Sequence, residues 1–313
     1  SEYNLYHLEQ GIKNSINNSK VLKMKFILGN INNFNFLNNI FKDNKIDVVF
    51  HAAAYKHVPL IESNPIQGIE NNVFSTYILC QAALSSSLKK VTLISTDKAV
   101  RPSNVMGASK RLAELIFQAY AAKSKSKSDN INNTKFSIVR FGNVLDSSGS
   151  VVPLFKKQIG KGGPITLTHK NVYRYFMTLS EAAQLVIQAT SLSMGGEVFL
   201  LDMGSPVRIY DLARQMIRLS GLKVKDSANK DGDIAIITTG LRPGEKLYEE
   251  LLIEAESKTT DHPLIFKANE AFIELDELIE ELSSLKNYID KQNKNKVFEI
   301  LSKLVPEWNL DRN

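Results

Sequence analysis

Short apolar runs rich in β-branched residues alternate along this chain with stretches whose apolar residues recur at helical spacing. That alternation is the signature of an α/β protein, a parallel sheet with helices packed on its faces. Strands are predicted at Lys25–Leu28, Val48–His51, Val91–Ser95, Phe136–Arg140 and Val198–Leu201. Most end in small or polar residues, which puts the ligand-binding crevice at the carboxyl edge of the sheet. Between Asn104 and about Ala121, the residues Ala108, Leu112, Leu115, Ile116 and Ala119 form one helical stripe. Thr178-x-x-Glu181 reads as a capping box before the stripe Ala182, Leu185, Val186 and Ala189, and Leu212, Met216 and Leu219 mark another helix, closed by Gly221. All three stripes are read as core packing.

The composition narrows the class further. With 313 residues, 43% of them hydrophobic and 23% charged, the chain has the make-up of an ordinary globular protein with a sizeable core. A single cysteine, Cys80, excludes an internal disulfide and fits a reducing compartment; it sits in the apolar run Tyr77–Cys80 and reads as a small core residue. No apolar stretch reaches the roughly 18 to 20 residues that span a bilayer. The net charge of +6 suits an anionic partner, but the lysines are scattered without interleaved aromatics, so nucleic acid is not expected. His51 and His57 lie six apart with no cysteine or carboxylate cluster beside them, so no metal site is expected. The polar run Lys123–Asn133 reads as a surface loop. The leucine-rich stretch after Ala268, through Leu275, Leu278, Ile279, Leu282 and Leu285, reads as a helical tail.

Chemistry concentrates where the strand Val91–Ser95 runs into Thr96, Asp97 and Lys98. A hydroxyl, a carboxylate and an ammonium then stand together at the edge where ligands bind. Taken alone, the tripeptide reads equally as a turn closed by an Asx bond. A few residues later Met106 and Lys110 are four apart on a predicted helix and share one face.

Several blocks in this order resemble a known family. They are His51–Pro59, Ser95–Val100, Asn104–Arg111, Val139–Val144, Tyr173–Thr178 and Leu241–Lys246. Over roughly residues 1 to 267 the chain is similar to the UDP-N-acetylglucosamine 4,6-dehydratases that make bacterial surface polysaccharides, capsule and O-antigen among them, and protein glycans. That family is a branch of the extended short-chain dehydrogenases/reductases, in which the helix usually carries Tyr-x-x-x-Lys. Here Met106 stands in the tyrosine position, as in some members, and cannot act as acid or base.

The resemblance implies an NAD- or NADP-dependent lyase acting on a UDP-sugar. The sugar is oxidised at C4, loses water across C5 and C6, and is reduced at C6. By position, Thr96 would bond the C4 oxygen, Asp97 would protonate the departing C6 hydroxyl and Lys98 would act at C5. A neutral Lys98 needs a lowered pKa, through burial or a nearby cation such as Lys110. Lys110 would also hold the cofactor ribose. His51, Ala52, Ala53 and Tyr55 would line the cofactor crevice, with Asn72 bonding backbone or cofactor there. Asn143, Pro153, Arg174, Arg242 and Glu245 would form the substrate groove, the two arginines offering planar forks to phosphate oxygens. The plainer readings are a surface lysine for Lys98 and surface ion pairs for the arginines.

The resemblance also implies an incomplete Rossmann-type doubly wound parallel sheet. A dinucleotide-binding fold opens with a strand, a glycine turn and a helix that receives the pyrophosphate. No such segment is present here; Gly160, Gly162 and Gly163 come too late. Residues 1–150 and about 178–203 are assigned to a partial dinucleotide-binding domain. Residues 151–177 and 204–267 form a smaller substrate-binding region, and 268–313 the tail. Without strands 1 and 2, Lys25–Leu28 loses its neighbours, Val48–His51 presents an open edge, and cofactor binding by this chain alone is expected to be weak. A homo-oligomer in the cytoplasm is expected, with membrane contact only through an N-terminal segment outside this sequence. The alternative from another class is an inactive remnant or interaction subunit. A 4-epimerase or reductase is the alternative within the superfamily; Asp97 and Lys98 argue against it, because epimerisation needs neither a C5 base nor a C6 acid.

Overall fold

The computed structural model describes residues 1–15, 23–126, 133–250 and 257–308. Its strands are β1 (Val48–His51), β2 (Lys90–Thr96), β3 (Lys135–Phe141), β4 (Asn143–Val144), β5 (Ile165–Leu167), β6 (Tyr173–Arg174), β7 (Phe176–Met177), β8 (Val198–Leu201), β9 (Val207–Arg208), β10 (Val224–Lys225), β11 (Ile234–Thr238), β12 (Ser257–Thr259) and β13 (Ile265–Ala268). Its helices are α1 (Glu2–Ser15), α2 (Phe34–Asn44), α3 (Val58–Ser63), α4 (Pro65–Ile69), α5 (Ser75–Ser85), α6 (Val105–Ser126), α7 (Val151–Gly160), α8 (Leu179–Leu192), α9 (Ile209–Leu219), α10 (Leu275–Asp290) and α11 (Lys294–Leu304).

The main sheet runs in the order β1-β2-β3-β8-β13-β12. Its first four strands are parallel, and β13 and β12 extend it antiparallel. This is an α/β fold of Rossmann type with a mainly parallel sheet. Four of the five predicted strands are present.

The fifth, Lys25–Leu28, is irregular backbone instead. The reason is pairing: β1 ends the sheet, and no described strand lies beyond it to complete a ladder for Lys25–Leu28. Ile27 and Leu28 are accordingly 42% and 59% exposed, and Phe50 on β1 is 46% exposed. A second difference concerns 257–267, expected with the substrate-binding region. β12 and most of β13 lie there, yet both run in the main sheet, where Ile265 is buried with Val139, Phe199 and Leu201.

α6 is buried on almost every side, more than its single stripe predicts. It packs on β3 and α5, and the tail helices α10 and α11 cover its remaining face. Phe117 meets Phe136 edge to face at 5.6 Å, and each such buried aromatic or aliphatic side chain contributes about 1.5–3 kcal/mol. Leu278, Leu282, Leu285 and Ile289 turn inward from α10, as a tail docked on the body requires. α6 itself runs on through Lys123–Ser126, where a loop was expected, and the rest of that loop falls largely on residues 127–132, outside the described set. The capping box at α8 is complete: Glu181 N–H donates to the Thr178 hydroxyl, and Thr178 N–H donates to the Glu181 carboxylate at 2.8 Å. Gly221, at φ +75°, follows the end of α9. Cys80 is fully buried, and burial pushes its thiol well above the usual range.

A separate small core joins α7, α9 and the sheet β10-β11-β5 through Phe155, Ile165, Ile209, Ile217 and Ile234. Among the described residues no helix is long and apolar enough to cross a membrane.

Candidate active site

β2 leaves the sheet at Thr96, and a short 3-10 turn over Asp97–Ala99 follows. The turn ties itself together. The Thr96 hydroxyl donates to Asp97 Oδ1 at 2.8 Å, and Lys98 Nζ donates to the same oxygen at 2.9 Å. Lys98 Nζ also donates to Asn143 Oδ1 at 3.2 Å. α6 can approach because position 107 is glycine: a Cβ there would stand 2.3 Å from the Lys98 carbonyl oxygen. Gly142 gives similar room, since its Cβ would lie 3.2 Å from Asp97 Oδ2.

A groove of about 490 Å³ opens above this turn. Ala52, Ala54, Tyr55, Thr96, Lys98, Met106, Lys110, Asn143 and Arg242 all line it. A smaller adjoining cavity of about 140 Å³ shares Lys98 and Arg242 and adds Arg174, Glu245 and Glu249. Most of the residues picked from the sequence therefore converge on one place at the carboxyl edge of the sheet.

Five do not line it. His51 is turned into the core, where Nε2 lies 2.9 Å from the Thr76 hydroxyl and the ring stacks near Phe117. Burial, with Lys110 adding to it, drives its pKa down to about 3. It is a neutral core histidine rather than a crevice wall. Asn72 is also buried, and its amide clamps the Tyr55 backbone, accepting from N–H at 2.7 Å and donating to C=O at 3.0 Å. Of its two expected partners it has the backbone one, and it fixes the loop that presents Tyr55. Ala53 is exposed outside the groove, and Pro153 lies in the first turn of α7, just beyond the groove-lining Ser150.

Asp97 is the fifth. Its side chain is fully buried beneath Thr96 and Lys98, and its Oδ2 has no hydrogen-bond partner. The carboxylate reaches the groove through the two side chains it holds.

The two lysines reverse their expected behaviour. Burial works to lower the Lys98 pKa, but the carboxylates of Asp97 and Glu249 outweigh it and hold the ammonium above the usual lysine range, with Arg174 opposing them. Lys98 thus keeps its proton in this arrangement, contrary to the drop expected of a base. Lys110, expected to be the local cation, donates to the Ile94 carbonyl at 2.8 Å, and burial lowers its pKa to about 8 against the pull of Glu114.

Arg174 and Glu245 are largely committed to the protein. Arg174 donates to the Tyr173 carbonyl at 2.7 Å and lies 3.5 Å from Glu245, whose other partners are the Thr168 hydroxyl and Arg242 N–H. Arg242 is the exposed fork.

Two groups escaped the sequence reading. Glu249 is buried, 3.8 Å from Lys98 and 3.6 Å from Arg174; nothing in the surrounding polar run singles it out. Glu114, on α6, accepts from Ser95 at 2.6 Å and from Arg140 at 2.7 Å. The signal that could have found it is Arg140, a charge inside an apolar strand, which must find a partner when buried.

Comparison with known proteins shows the family of this chain. The family model described as polysaccharide biosynthesis protein matches residues 1–270. The capsular polysaccharide biosynthesis protein CapD of Staphylococcus aureus is 46% identical over 262 residues, 84% of this chain and 40% of that protein. The chain thus spans less than half the length of that relative. A UDP-glucose 4-epimerase of Rickettsia bellii is 34% identical over 79% of this chain and 67% of its own. Among solved structures, Pen from Bacillus thuringiensis shares 34% identity at a TM-score of 0.72, covering 85% of this chain and 76% of its own. DesIV, a dTDP-glucose 4,6-dehydratase from Streptomyces venezuelae with NAD and TYD bound, is 19% identical with a TM-score of 0.61, covering 75% of this chain and 72% of its own, and shares the fold alone. The chain belongs to the polysaccharide biosynthesis protein family.

Proposed function

We propose that this chain carries the reacting groups of a nucleotide-sugar 4,6-dehydratase that converts UDP-N-acetylglucosamine to a UDP-2-acetamido-2,6-dideoxy-4-hexulose for surface glycan synthesis. The observation behind the reading is the convergence of Thr96, Lys98, Met106, Lys110 and Asn143 on one groove, with Asp97 bonded beneath them.

The groove suits the nicotinamide-ribose end of NAD or NADP. The small side chains of Ala52 and Ala54 permit close approach, and Lys110 lines the same groove to hold ribose hydroxyls. Among the described residues no glycine-rich turn opens a helix beside it to cradle a pyrophosphate. Bound there, the cofactor supplies reversible hydride transfer to and from the sugar. Thr96 holds the C4 oxygen through its hydroxyl. Lys98 removes the C5 proton once its own has left, which the C4 ketone makes easier by acidifying C5. Asp97 takes up the proton released when the C4 hydroxyl is oxidised, relayed through the Thr96 hydroxyl that already donates to it at 2.8 Å. It then swings out from beneath Thr96 to deliver that proton to the C6 hydroxyl as it leaves as water. Arg242 offers its exposed guanidinium to the diphosphate.

The 34% identity to a UDP-glucose 4-epimerase favours a second reading, 4-epimerisation on the same groove. One assay separates them. Incubating the protein with UDP-N-acetylglucosamine and NAD yields a product lighter by one water if it is a dehydratase, and a product of unchanged mass if it is an epimerase. Lys98→Ala is expected to cut dehydration by roughly 10²–10⁴-fold; unchanged turnover removes Lys98 from the mechanism.

A further inference from the structure

We propose that Glu249 is a positioning residue that fixes the charge on Lys98, and with it the pH at which Lys98 becomes a base. The proposal rests on the reading of Lys98 as the group acting at C5.

Glu249 Oε1 lies 3.8 Å from Lys98 Nζ and 3.6 Å from Arg174 Nε. One carboxylate oxygen is therefore shared between two cations, at distances too long for a hydrogen bond to either. The side chains of Glu249 and Arg174 are 6% and 10% exposed, so solvent screens these interactions little. Asp97 contributes the nearer carboxylate, but it is tied into the strand-end turn by Thr96 and Lys98 together. Glu249 arrives from a different part of the chain, and among the described residues its carboxylate is held by these two ion pairs and by no hydrogen bond. Among the described residues the other groups around the ammonium are the neutral Asn143 amide at 3.2 Å, Arg242 and Lys110 on the walls of the same groove, and Glu245, which lines the adjoining cavity and lies 3.5 Å from Arg174.

The arithmetic of charge then separates the roles. Asp97, Glu249 and Glu245 supply three negative charges against Lys98 and Arg174, with Glu245 3.5 Å from Arg174. Removing Glu249 leaves Asp97 as the one carboxylate paired with Lys98, while Arg174 keeps Glu245, and this favours loss of the lysine proton. Removing Arg174 frees Glu249 for Lys98 alone and favours keeping it. A merely structural role for Glu249 would move neither.

The test is competitive acetylation of the whole chain with limiting acetic anhydride, from neutral to alkaline pH, with Lys98 resolved by mass spectrometry. Glu249→Gln is expected to lower the Lys98 midpoint by about one pH unit or more, Glu249→Asp to restore most of it, and Arg174→Gln to raise it. An unchanged Lys98 midpoint in Glu249→Gln with a parental near-ultraviolet circular dichroism spectrum overturns the proposal. If that variant fails to fold, an Arg174→Gln midpoint that stays put or falls overturns it equally. The pH dependence of turnover separates this proposal from the functional reading. A lowered Lys98 midpoint with an unmoved pH–rate limb upholds Glu249 as the residue that sets the charge and removes Lys98 as the base.

Discussion

Two clusters of alternating charge sit within a few residues of each other at the carboxyl ends of β2 and β3, and they are built on opposite terms. One joins Arg140, Glu114, Glu270 and Arg111. Arg140 donates to both oxygens of Glu114 and both of Glu270, and no side chain of the four is more than 9% exposed. Burial works against the Glu114 carboxylate, yet Arg140 and Arg111 hold its pKa below the usual range. The other joins Asp97, Lys98, Glu249 and Arg174. The Lys98 side chain is 22% exposed, the cluster's longer pairs span 3.6–3.8 Å, and one Asp97 oxygen has no partner. The first is closely hydrogen-bonded around Arg140, although Arg111 Nε has no hydrogen-bond partner and its residue lines a groove of its own. The second holds its outer pairs at longer distances, the looser arrangement that proton transfer demands. Neither charge density nor an unpaired atom beside a groove marks a reactive site; loose pairing between the charges does.

The sharpest way to break this contrast is Arg140→Met. It leaves two buried carboxylates to Arg111 alone, and stability is expected to fall by about 3–5 kcal/mol in urea unfolding. A loss below about 1 kcal/mol would put the network on a level with surface ion pairs.

Next in size is a pH effect from His51, a second sealed group. The folded state holds its imidazole neutral, with a pKa lowered to about 3, whereas the unfolded chain takes up a proton near the ordinary value of 6.5. A depressed histidine pKa means stability is lost as pH falls through 6.5 toward 3. The loss between pH 7 and pH 5 comes to about 2 kcal/mol. His51→Gln, which keeps a partner for Thr76 but does not titrate, should flatten that slope relative to the parent in paired urea titrations. Equal slopes would show that the ring is solvated.

Much of this was legible beforehand, and the residues show why. Val48–His51, the runs inside β2 and β3, and Val198–Leu201 announce themselves because a buried parallel strand is a short β-branched run. Thr178 and Glu181 mark a helix start because a capping box is a local hydrogen-bond pattern, written within four residues. Lys25–Leu28 misled because strand propensity is local while pairing is not. His51 misled for a related reason: a strand end has two sides, and sequence does not say which one a side chain takes. Thr96, Lys98 and Lys110 were found through resemblance to a family motif, but their protonation was not, because Glu249 arrives from about 150 residues away. Long-range electrostatics leaves no periodicity to read.

The smallest expected effect bears on that hidden contact. Glu249→Gln keeps the shape of the side chain and gives up two ion pairs, neither of them a hydrogen bond. The lost attraction is offset by relief from holding a buried carboxylate away from water, so the net change in urea unfolding is expected to stay within about 1 kcal/mol. Set beside Arg140→Met, the two substitutions each remove one charge from a four-charge cluster. A several-fold gap between them supports the division into a closely bonded cluster and a looser one. A comparable loss from Glu249→Gln would make the groove cluster a structural brace as well, and its long distances would no longer signify freedom to move.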